Sequence, residues 1–285
     1  MTLTSLPVAS LSDTALLTAA YRALESDRPD ALFQDPYAQI LAGERGQTLV
    51  QVMPGGTTGA SGCAVRTAVM DELILQIIAA GKVDTVLNLG AGLDTRPYRL
   101  PLSATLSWSD CDEPVLLNYK VKKLAAIQPR CLLESIALDV TDAVSRQRFF
   151  RAVGLVAKQA LVLTEGLLIY LTPEQVAALA TDLYAQSPFE WWLTDLASPH
   201  ALRYFQNSIN GAADSSQATL QFAPAAGTEF FEPYGWRAVE SRSLLEEGQH
   251  LHREILPPSL LAQLQTPEDW ETWRQMSSFV LLKRY

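Results

Sequence analysis

Cysteine and long apolar runs are scarce in this sequence. Its three cysteines are an odd number without CxxC or Cys/His ligand spacing, which argues against a disulfide framework and a structural zinc site. No run of about 18 apolar residues predicts a membrane span, and the N-terminus lacks the basic start of a signal peptide. We therefore expect a soluble, cytoplasmic protein that requires no metal and has no membrane partner.

Positive charge is scarce as well. The chain has 22 Lys and Arg residues against 31 Asp and Glu residues, which gives a formal charge of −9. An acidic protein repels a phosphate backbone unless its basic residues cluster, and this sequence has no Lys/Arg-rich run. We therefore expect no nucleic acid partner. The length of 285 residues and the apolar share of 48% are typical of a globular protein with one or two domains.

Short apolar runs alternate with helical patterns from residue 83 onwards. Runs without polar alternation are typical of parallel strands that are buried on both faces. The order of strand, helix and strand predicts an open, mostly parallel α/β sheet, which two late strands close as an antiparallel hairpin. The predicted strands lie at 85–89, 104–108, 132–138, 160–164, 191–194, 235–239 and 279–283, and the predicted helices between them at 114–127, 143–152, 173–185 and 257–264.

Two segments depart from this alternation. Residues 1–82 predict a helical extension, in which a glycine-rich loop at 55–62 precedes a helix that begins near residue 65. The sheet domain then takes residues 83–285. Within it, residues 198–227 mix small polar and aromatic residues, and we expect them to form an inserted lid over a substrate site.

A glycine motif follows the first predicted strand. Gly90, Ala91 and Gly92 bring backbone N–H groups close to a ligand, since glycine has no Cβ, and ligands bind at the carboxyl ends of strands in such sheets. A dinucleotide motif would have a third glycine where Thr95 stands. The neighbouring Asp94 would repel a pyrophosphate. These features favour a ligand without phosphates, such as an adenosyl sulfonium compound.

Carboxylates follow the next two strands. Asp112 lies twenty residues beyond Gly92, the spacing at which an acidic residue binds both ribose hydroxyls, and Asp110 is the alternative for this role. Asp139 could accept a hydrogen bond from an adenine amino group while Val140 supplies a backbone N–H to the ring. The alternative is that the polar residues here only cap a helix.

Glu165 ends the fourth predicted strand, after four apolar residues and a threonine. A carboxylate in such a place is costly to bury unless it is paired or binds a cation. It either faces a cationic group of the ligand or pairs with an arginine such as Arg66, and both arrangements are compatible.

Several motifs together resemble a known family. They are residues 23–30 (ALESDRPD), 35–37 (DPY), 66–67 (RT), 88–96 (NLGAGLDTR), 112–114 (DEP) with Lys120, 139–140 (DV) and 165–171 (EGLLIYL). Over residues 15–171 the sequence is similar to the leucine carboxyl methyltransferase family. That family includes tetracenomycin-type polyketide O-methyltransferases and many uncharacterised bacterial S-adenosylmethionine-dependent enzymes.

The resemblance implies a class I methyltransferase, with a Rossmann-like seven-stranded sheet and a helical extension over its cofactor, S-adenosylmethionine. It implies that Arg66 holds the cofactor carboxylate and that Glu165 lies beside the methionine moiety. The glycine motif, Asp112 and Asp139 would hold the methionine backbone, the ribose and the adenine in turn. Val140 stands where the family usually has Leu, and we expect its backbone N–H to serve equally well.

The reaction that we expect is methyl transfer to a carboxylate or hydroxyl oxygen of a small molecule, with polyketide-like and other secondary metabolites as candidates. A carboxylate is already ionised at pH 7, whereas a hydroxyl needs a base, for which His200 is a candidate. Arg203 and Tyr204 could meet the substrate or could lie at the surface, and no residue is assigned as catalytic. The alternatives are a non-catalytic cofactor-binding regulatory protein and a nicotinamide-dependent oxidoreductase, which Thr95 disfavours.

Overall fold

A seven-stranded sheet forms the centre of the fold. The computed structural model describes residues 11–52, 56–210, 219–256, 258–262 and 264–285. The strands of the described residues are β1 (Thr85–Leu89), β2 (Ser107–Asp112), β3 (Leu132–Ala137), β4 (Ala160–Thr164), β5 (Phe189–Ala197), β6 (Trp236–Ser243) and β7 (Ser277–Arg284). Their order is β3-β2-β1-β4-β5-β7-β6, and β7 is antiparallel to both of its neighbours. This confirms the predicted mostly parallel α/β sheet.

Helices cover the sheet and form the N-terminal extension. They are α1 (Leu11–Ser26), α2 (Ala38–Val52), α3 (Gly56–Ala79), α4 (Arg96–Arg99), α5 (Pro114–Lys123), α6 (Ala143–Gly154), α7 (Pro173–Tyr184), α8 (Pro199–Asn210), α9 (Leu244–His250), α10 (Pro258–Leu261) and α11 (Pro267–Arg274), with 3-10 helices at Leu168–Tyr170 and Gly227–Tyr234. Within the described ranges, none of these helices has both the length and the apolar character that a membrane crossing requires.

Two apolar clusters lie on the two sides of the sheet. Alternate residues of β1 and β4 point to opposite sides, so Leu87 and Val162 join one cluster while Val86 and Leu161 join the other. Helices α6 and α7 contribute to the first cluster, and α3 contributes to the second. Since both faces are covered, the central strands have the continuous apolar sequences from which they were predicted.

The N-terminal extension differs from the prediction in its glycine-rich part. Residues 56–62 are not a loop but the first turns of α3. Gly59 lies against Tyr21 of α1, since a Cβ at Gly59 would stand 2.9 Å from the Tyr21 hydroxyl oxygen. Gly46 belongs to α2, a helix that was not predicted, and a Cβ there would lie 2.6 Å from the Leu16 carbonyl oxygen. Close helix packing therefore outweighs the low helix propensity of glycine at these positions.

Strand β2 also differs from its prediction, because it begins at Ser107 and not at residue 104. The hydroxyl groups of Ser103 and Thr105 hydrogen-bond each other at 2.9 Å, and the Ser103 hydroxyl also accepts the Thr105 N–H. These contacts hold a turn where the prediction placed the start of the strand. As a result Asp110 and Asp112 belong to β2 itself. Helices α4, α9 and α11 were not predicted, and the other predicted elements agree to within a few residues.

The predicted lid is partly anchored. Its first part is helix α8, and residues 211–218 lie outside the described residues. Beyond them, the backbone N–H groups of Gln221 and Phe222 both donate to the Ile169 carbonyl, and the Phe222 ring is buried in the first apolar cluster. This later part is therefore fixed to the segment that follows β4. A role as a lid stays a prediction.

A buried ion pair ties the extension to the C-terminal part of the chain. Arg253 follows α9, and its Nη2 and Nε lie 2.6 and 3.1 Å from the two carboxylate oxygens of Glu25 in α1. The side chains of Arg253 and Glu25 are only 3% and 4% exposed. Arg253 Nη2 also donates to the Asp30 carbonyl. The position of α1 therefore depends on a contact that spans most of the sequence.

We expect Arg253→Met to destabilise the protein by about 3–5 kcal/mol, because the buried Glu25 carboxylate loses its nearest cation and keeps only the Leu32 N–H at 2.7 Å and Arg28 at 3.8 Å. Urea unfolding followed by circular dichroism measures this. The control is Arg274→Met, because Arg274 pairs with Glu246 and Glu271 but is half exposed, and such pairs contribute less than about 1 kcal/mol. Equal effects of the two substitutions would contradict a structural role for the Arg253 pair.

Candidate cofactor site

A cavity of about 200 Å³ lies at the carboxyl ends of β1, β2 and β4, under helix α1. Most of the predicted cofactor residues line it, together with residues of the extension. The lining residues are Thr14, Ala15, Thr18, Arg22, Arg66, Thr67, Asn88, Gly90, Ala91, Gly92, Leu93, Asp94, Arg96, Arg99, Asp112, Leu116, Glu165, Gly166, Leu167 and Tyr170. The strand ends and α1 thus enclose the place where a ligand of this fold is expected.

The glycine motif forms a tight turn at the floor of the cavity. Gly90 and Gly92 have φ angles of 68° and 49°, in the region that L residues rarely adopt. The Gly90 N–H donates to the Cys111 carbonyl at 2.9 Å, and the Gly92 N–H donates to Asp112 Oδ2 at 2.6 Å. A Cβ on Gly90 would lie 3.1 Å from the Leu167 side chain. The turn therefore needs glycine both for its conformation and for the space beside it.

Asp112 and not Asp110 reaches the cavity. Burial raises the pKa of Asp112, although the N–H groups of Gly92 and Glu113 that donate to its carboxylate oppose this. Asp110 is fully buried and lies 2.7 Å from Lys120 Nζ. It does not line the cavity. Asp112 is therefore the better placed of the two for a ribose.

Glu165 lies between two arginines. Its Oε2 is 2.7 Å from Arg96 Nη1, and its Oε1 is 2.9 Å from Arg66 Nε. Burial alone would raise the pKa of Glu165, but the charges of Arg96 and Arg66 outweigh this and lower it. Pairing with Arg66, one of the two arrangements considered from the sequence, is therefore present.

Arg66 has a buried donor that is not satisfied. The contact of its Nε with Glu165 is close, but the N–H is not directed at the oxygen, and Nε has no hydrogen-bond partner among the described residues. Its Nη1 donates to Asp195 Oδ2 at 3.2 Å. Buried donors without an acceptor are rare, and a carboxylate is the strongest acceptor for a guanidinium. Arg66 therefore fits the carboxylate of a methionine-like ligand.

Asp94 is occupied by protein partners. Its carboxylate accepts hydrogen bonds from Asn88 Nδ2 at 2.9 Å and from the backbone and side chain of Arg96 at 2.8 and 2.9 Å. Burial would raise the pKa of Asp94, but the charges of Arg96 and Lys120 lower it further than burial raises it. Asp94 thus shapes the loop. Its charge is balanced by Arg96, so repulsion of a pyrophosphate is weaker than the sequence suggested.

The proposed adenine residues lie outside the described cavity. Asp139 is exposed and accepts from the N–H and hydroxyl of Thr141. The Val140 carbonyl accepts from Arg146 Nη1 at 2.6 Å. Helix α6 is capped by Asp142, whose side chain accepts the Val144 N–H, and not by Asp139. An adenine contact at Asp139 and Val140 therefore stays a prediction.

The candidate substrate residues of α8 also lie away from the cavity lining. The rings of His200 and Tyr204 pack against Trp273, at centroid distances of 5.7 and 5.6 Å. Arg203 does not line the cavity either. In the described ranges, no group of three or more His, Cys, Asp or Glu side chains is arranged to hold a metal ion. The structure therefore offers no support for His200 as a base at this site.

Two acidic residues outside the predicted cofactor set also hold the site. Asp71 of α3 lies 2.6 Å from Arg96 Nε and 2.5 Å from Arg99 Nη1. Asp195 of β5 accepts the Gly166 N–H at 2.7 Å and contacts Arg66. Asp71 was detectable, because it lies on the apolar face of its helix, where an acidic residue implies a buried partner.

The family assignment follows from a comparison with known sequences. A model of the leucine carboxyl methyltransferase family matches residues 15–184, more than half of the chain. The chain belongs to this family.

Two bacterial proteins are similar in sequence to this member of the leucine carboxyl methyltransferase family. A protein of Parafrankia sp. (strain EAN1pec) with the name "Putative S-adenosyl-L-methionine-dependent methyltransferase" is 36% identical over 185 residues, which cover 61% of this chain and 59% of that protein. A protein of the same name from Mycobacterium bovis (strain BCG / Pasteur 1173P2) is 32% identical over 261 residues, 81% of this chain and 78% of the relative. The first match thus spans less than two thirds of its relative.

Solved structures confirm the fold of this family member. A DUF574 family protein from Streptomyces avermitilis MA-4680 has a TM-score of 0.60 and 11% identity, with 95% of this chain and 97% of that chain covered. A "putative methyltransferase" from Thermobifida fusca YX has a TM-score of 0.53 and 13% identity, with 95% and 94% covered. At such identities the likeness concerns the fold alone, which is the class I methyltransferase fold that the resemblance implied.

We expect Asp112→Ala to weaken S-adenosylmethionine binding by about 1.5–3 kcal/mol, the range for hydrogen bonds to a charged group, while the fold is kept. Isothermal titration calorimetry measures this. The matched control is Asp84→Ala, because Asp84 also accepts backbone N–H groups, those of Lys158 and Gln159, but at the other end of β1. Unchanged affinity in the Asp112 variant would remove Asp112 from the ribose site.

Proposed function

We propose that the protein is an S-adenosylmethionine-dependent methyltransferase that acts on a carboxylate oxygen of a small molecule. The observation that carries this proposal is the cavity at the strand ends, which Arg66, the glycine motif and Asp112 line together. Membership of the leucine carboxyl methyltransferase family supports it. The names of the bacterial relatives support the cofactor.

The residues of the chain divide the binding task. Arg66 holds the cofactor carboxylate, Asp112 accepts from the ribose hydroxyls, and the turn at Gly90 to Gly92 lets the methionine part approach the backbone. When bound, S-adenosylmethionine supplies an electrophilic methyl group on a sulfonium. Glu165, kept ionised by its two arginines, provides a negative charge beside that cation. Positioning of this kind can supply much of the rate of a transfer reaction.

The cavity lining supports a carboxylate as the acceptor, because none of its described residues is suited to act as a base at neutral pH. Among the described residues that line the cavity there is no His, Lys or Cys. The pKa values of Asp94 and Glu165 are lowered, and burial raises the pKa of Tyr170. Asp112 is the acid of the described lining whose pKa is raised, and it serves the ribose. An acceptor that is already ionised at pH 7, a carboxylate, needs no base.

We expect Arg66→Lys to weaken S-adenosylmethionine binding by about tenfold or more, because lysine keeps the charge but loses the planar fork. A decarboxylated analogue of the cofactor should bind the variant and the wild type equally. Calorimetry with both ligands measures this, and Arg242→Lys, a substitution of a partly buried arginine beside Glu72 and Glu240, is the control. If the analogue loses as much affinity as the cofactor, Arg66 has a structural role only.

The acceptor class can be tested through the product. We expect incubation with methyl-labelled S-adenosylmethionine and a bacterial small-molecule extract to give labelled methyl esters, which release labelled methanol in mild alkali. Methyl ethers resist this treatment, so an alkali-stable product would contradict the carboxylate and indicate a hydroxyl.

Methyl transfer, cofactor binding and melting temperature together test the two alternatives. Binding of the cofactor without any transfer would favour a regulatory protein. A rise in melting temperature with reduced nicotinamide nucleotide, and none with S-adenosylmethionine, would favour an oxidoreductase.

A further inference from the structure

The glycine motif is held from outside by the N-terminal extension. Asp35 lies between α1 and α2, and its side chain is fully buried. Its Oδ2 accepts from Arg22 Nε at 2.9 Å and from the Thr95 hydroxyl at 2.7 Å. Arg22 Nη2 in turn donates to the Leu93 carbonyl at 2.6 Å. We call Arg22, Asp35, Leu93 and Thr95 the Asp35 clasp. Its contacts hold the glycine loop on both sides of Asp94.

The charges around Asp35 stabilise the contacts of the clasp. Burial would raise the pKa of Asp35, but the charge of Arg22 and the hydrogen bond from Thr95 lower it below its usual value. Arg99 adds a further cation at 4.0 Å. Removing one partner of a buried pair leaves the other charge without compensation. These contacts therefore favour the docked position of the extension against the loop.

Neither Asp35 nor Thr95 lines the cavity. Arg22, however, belongs both to the clasp and to the cavity wall, and Thr18 and Ala15 line the same cavity one and two turns earlier on α1. The same contacts therefore position both the glycine loop, which forms the floor of the cavity, and α1, which covers it. Thr95 also stands at the position where a dinucleotide motif has its third glycine. Here its hydroxyl donates to Asp35.

We propose that Asp35 and Thr95 are positioning residues that couple docking of helix α1 to cofactor binding. The proposal rests on the cofactor site proposed above. Coupling of this kind is reciprocal: if a docked α1 strengthens binding of the cofactor, the bound cofactor stabilises the docked α1 to the same extent.

The hydroxyl of Thr95 is the contact to test, since two substitutions separate it from the shape of the side chain. Thr95→Val keeps the shape and loses the hydroxyl, whereas Thr95→Ser keeps the hydroxyl and loses the methyl group. With S-adenosylhomocysteine as the probe in calorimetry, we expect the Val variant to bind about tenfold more weakly and the Ser variant to bind nearly as the wild type does. A packing role for Thr95 predicts the reverse order and would overturn the proposal.

Thr85→Val and Thr85→Ser are the matched controls. The Thr85 hydroxyl also contacts a carboxylate, that of Asp84 at 3.0 Å, but at the opposite end of β1. Both control variants should bind S-adenosylhomocysteine as the wild type does. Binding losses in Thr85→Val equal to those in Thr95→Val would show a general loss of stability and would contradict the positioning role.

Hydrogen exchange of α1 tests the coupling itself. At saturating S-adenosylhomocysteine, we expect amides of α1 to exchange more slowly in the wild type, and this added protection to be largely lost in Thr95→Val. Weaker binding with full protection at saturation would overturn the coupling while leaving the cofactor site intact. If the wild type itself fails to bind S-adenosylhomocysteine, the proposed function fails, whereas wild-type binding with unaffected Val variants refutes only the clasp.

Discussion

The site depends on the ion pairs of one buried guanidinium, that of Arg96. Its nitrogens lie 2.6 Å from Asp71 of α3, 2.9 Å from Asp94 of the glycine loop and 2.7 Å from Glu165 at the end of β4. Three carboxylates around one cation would be costly to bury without it. Because these partners come from a helix, a loop and a strand end, Arg96 sets the geometry of the cavity before any ligand arrives, which is what preorganised binding requires.

The buried charges of the site are balanced by local ion pairs, although the protein as a whole is acidic. The chain carries a formal charge of −9, yet the buried arginines of the site are matched by specific acids: Arg22 by Asp35, and Arg96 by the three carboxylates around it. Arg66 is matched by Glu165 and Asp195, but its Nε has no hydrogen-bond acceptor among the described residues. A ligand carboxylate would complete a network that is otherwise closed. The carboxylate acceptor that we propose would supply its own ionised oxygen, so the proposed reaction needs no base.

The strands and the strand-end residues were predictable because their signals are local. A continuous apolar run followed by a glycine motif or a carboxylate locates β1 and Asp112 without any knowledge of partners. The Asp35 clasp was not predictable, because Asp35 and Thr95 are separated by 60 residues. No local sequence pattern around either residue indicates that the two are in contact. Helix α3 was predicted too short for a related reason, since Gly59 is explained by its contact with α1 and not by its neighbours in sequence.

A crystal structure of the protein with S-adenosylhomocysteine tests the central claim most directly. The account predicts that the ligand carboxylate accepts a hydrogen bond from the Arg66 guanidinium and that both ribose hydroxyls donate to Asp112, with Arg96 still in contact with Asp71, Asp94 and Glu165. A ligand whose carboxylate lies away from Arg66, with Arg66 bound only to Glu165 and Asp195, would contradict it.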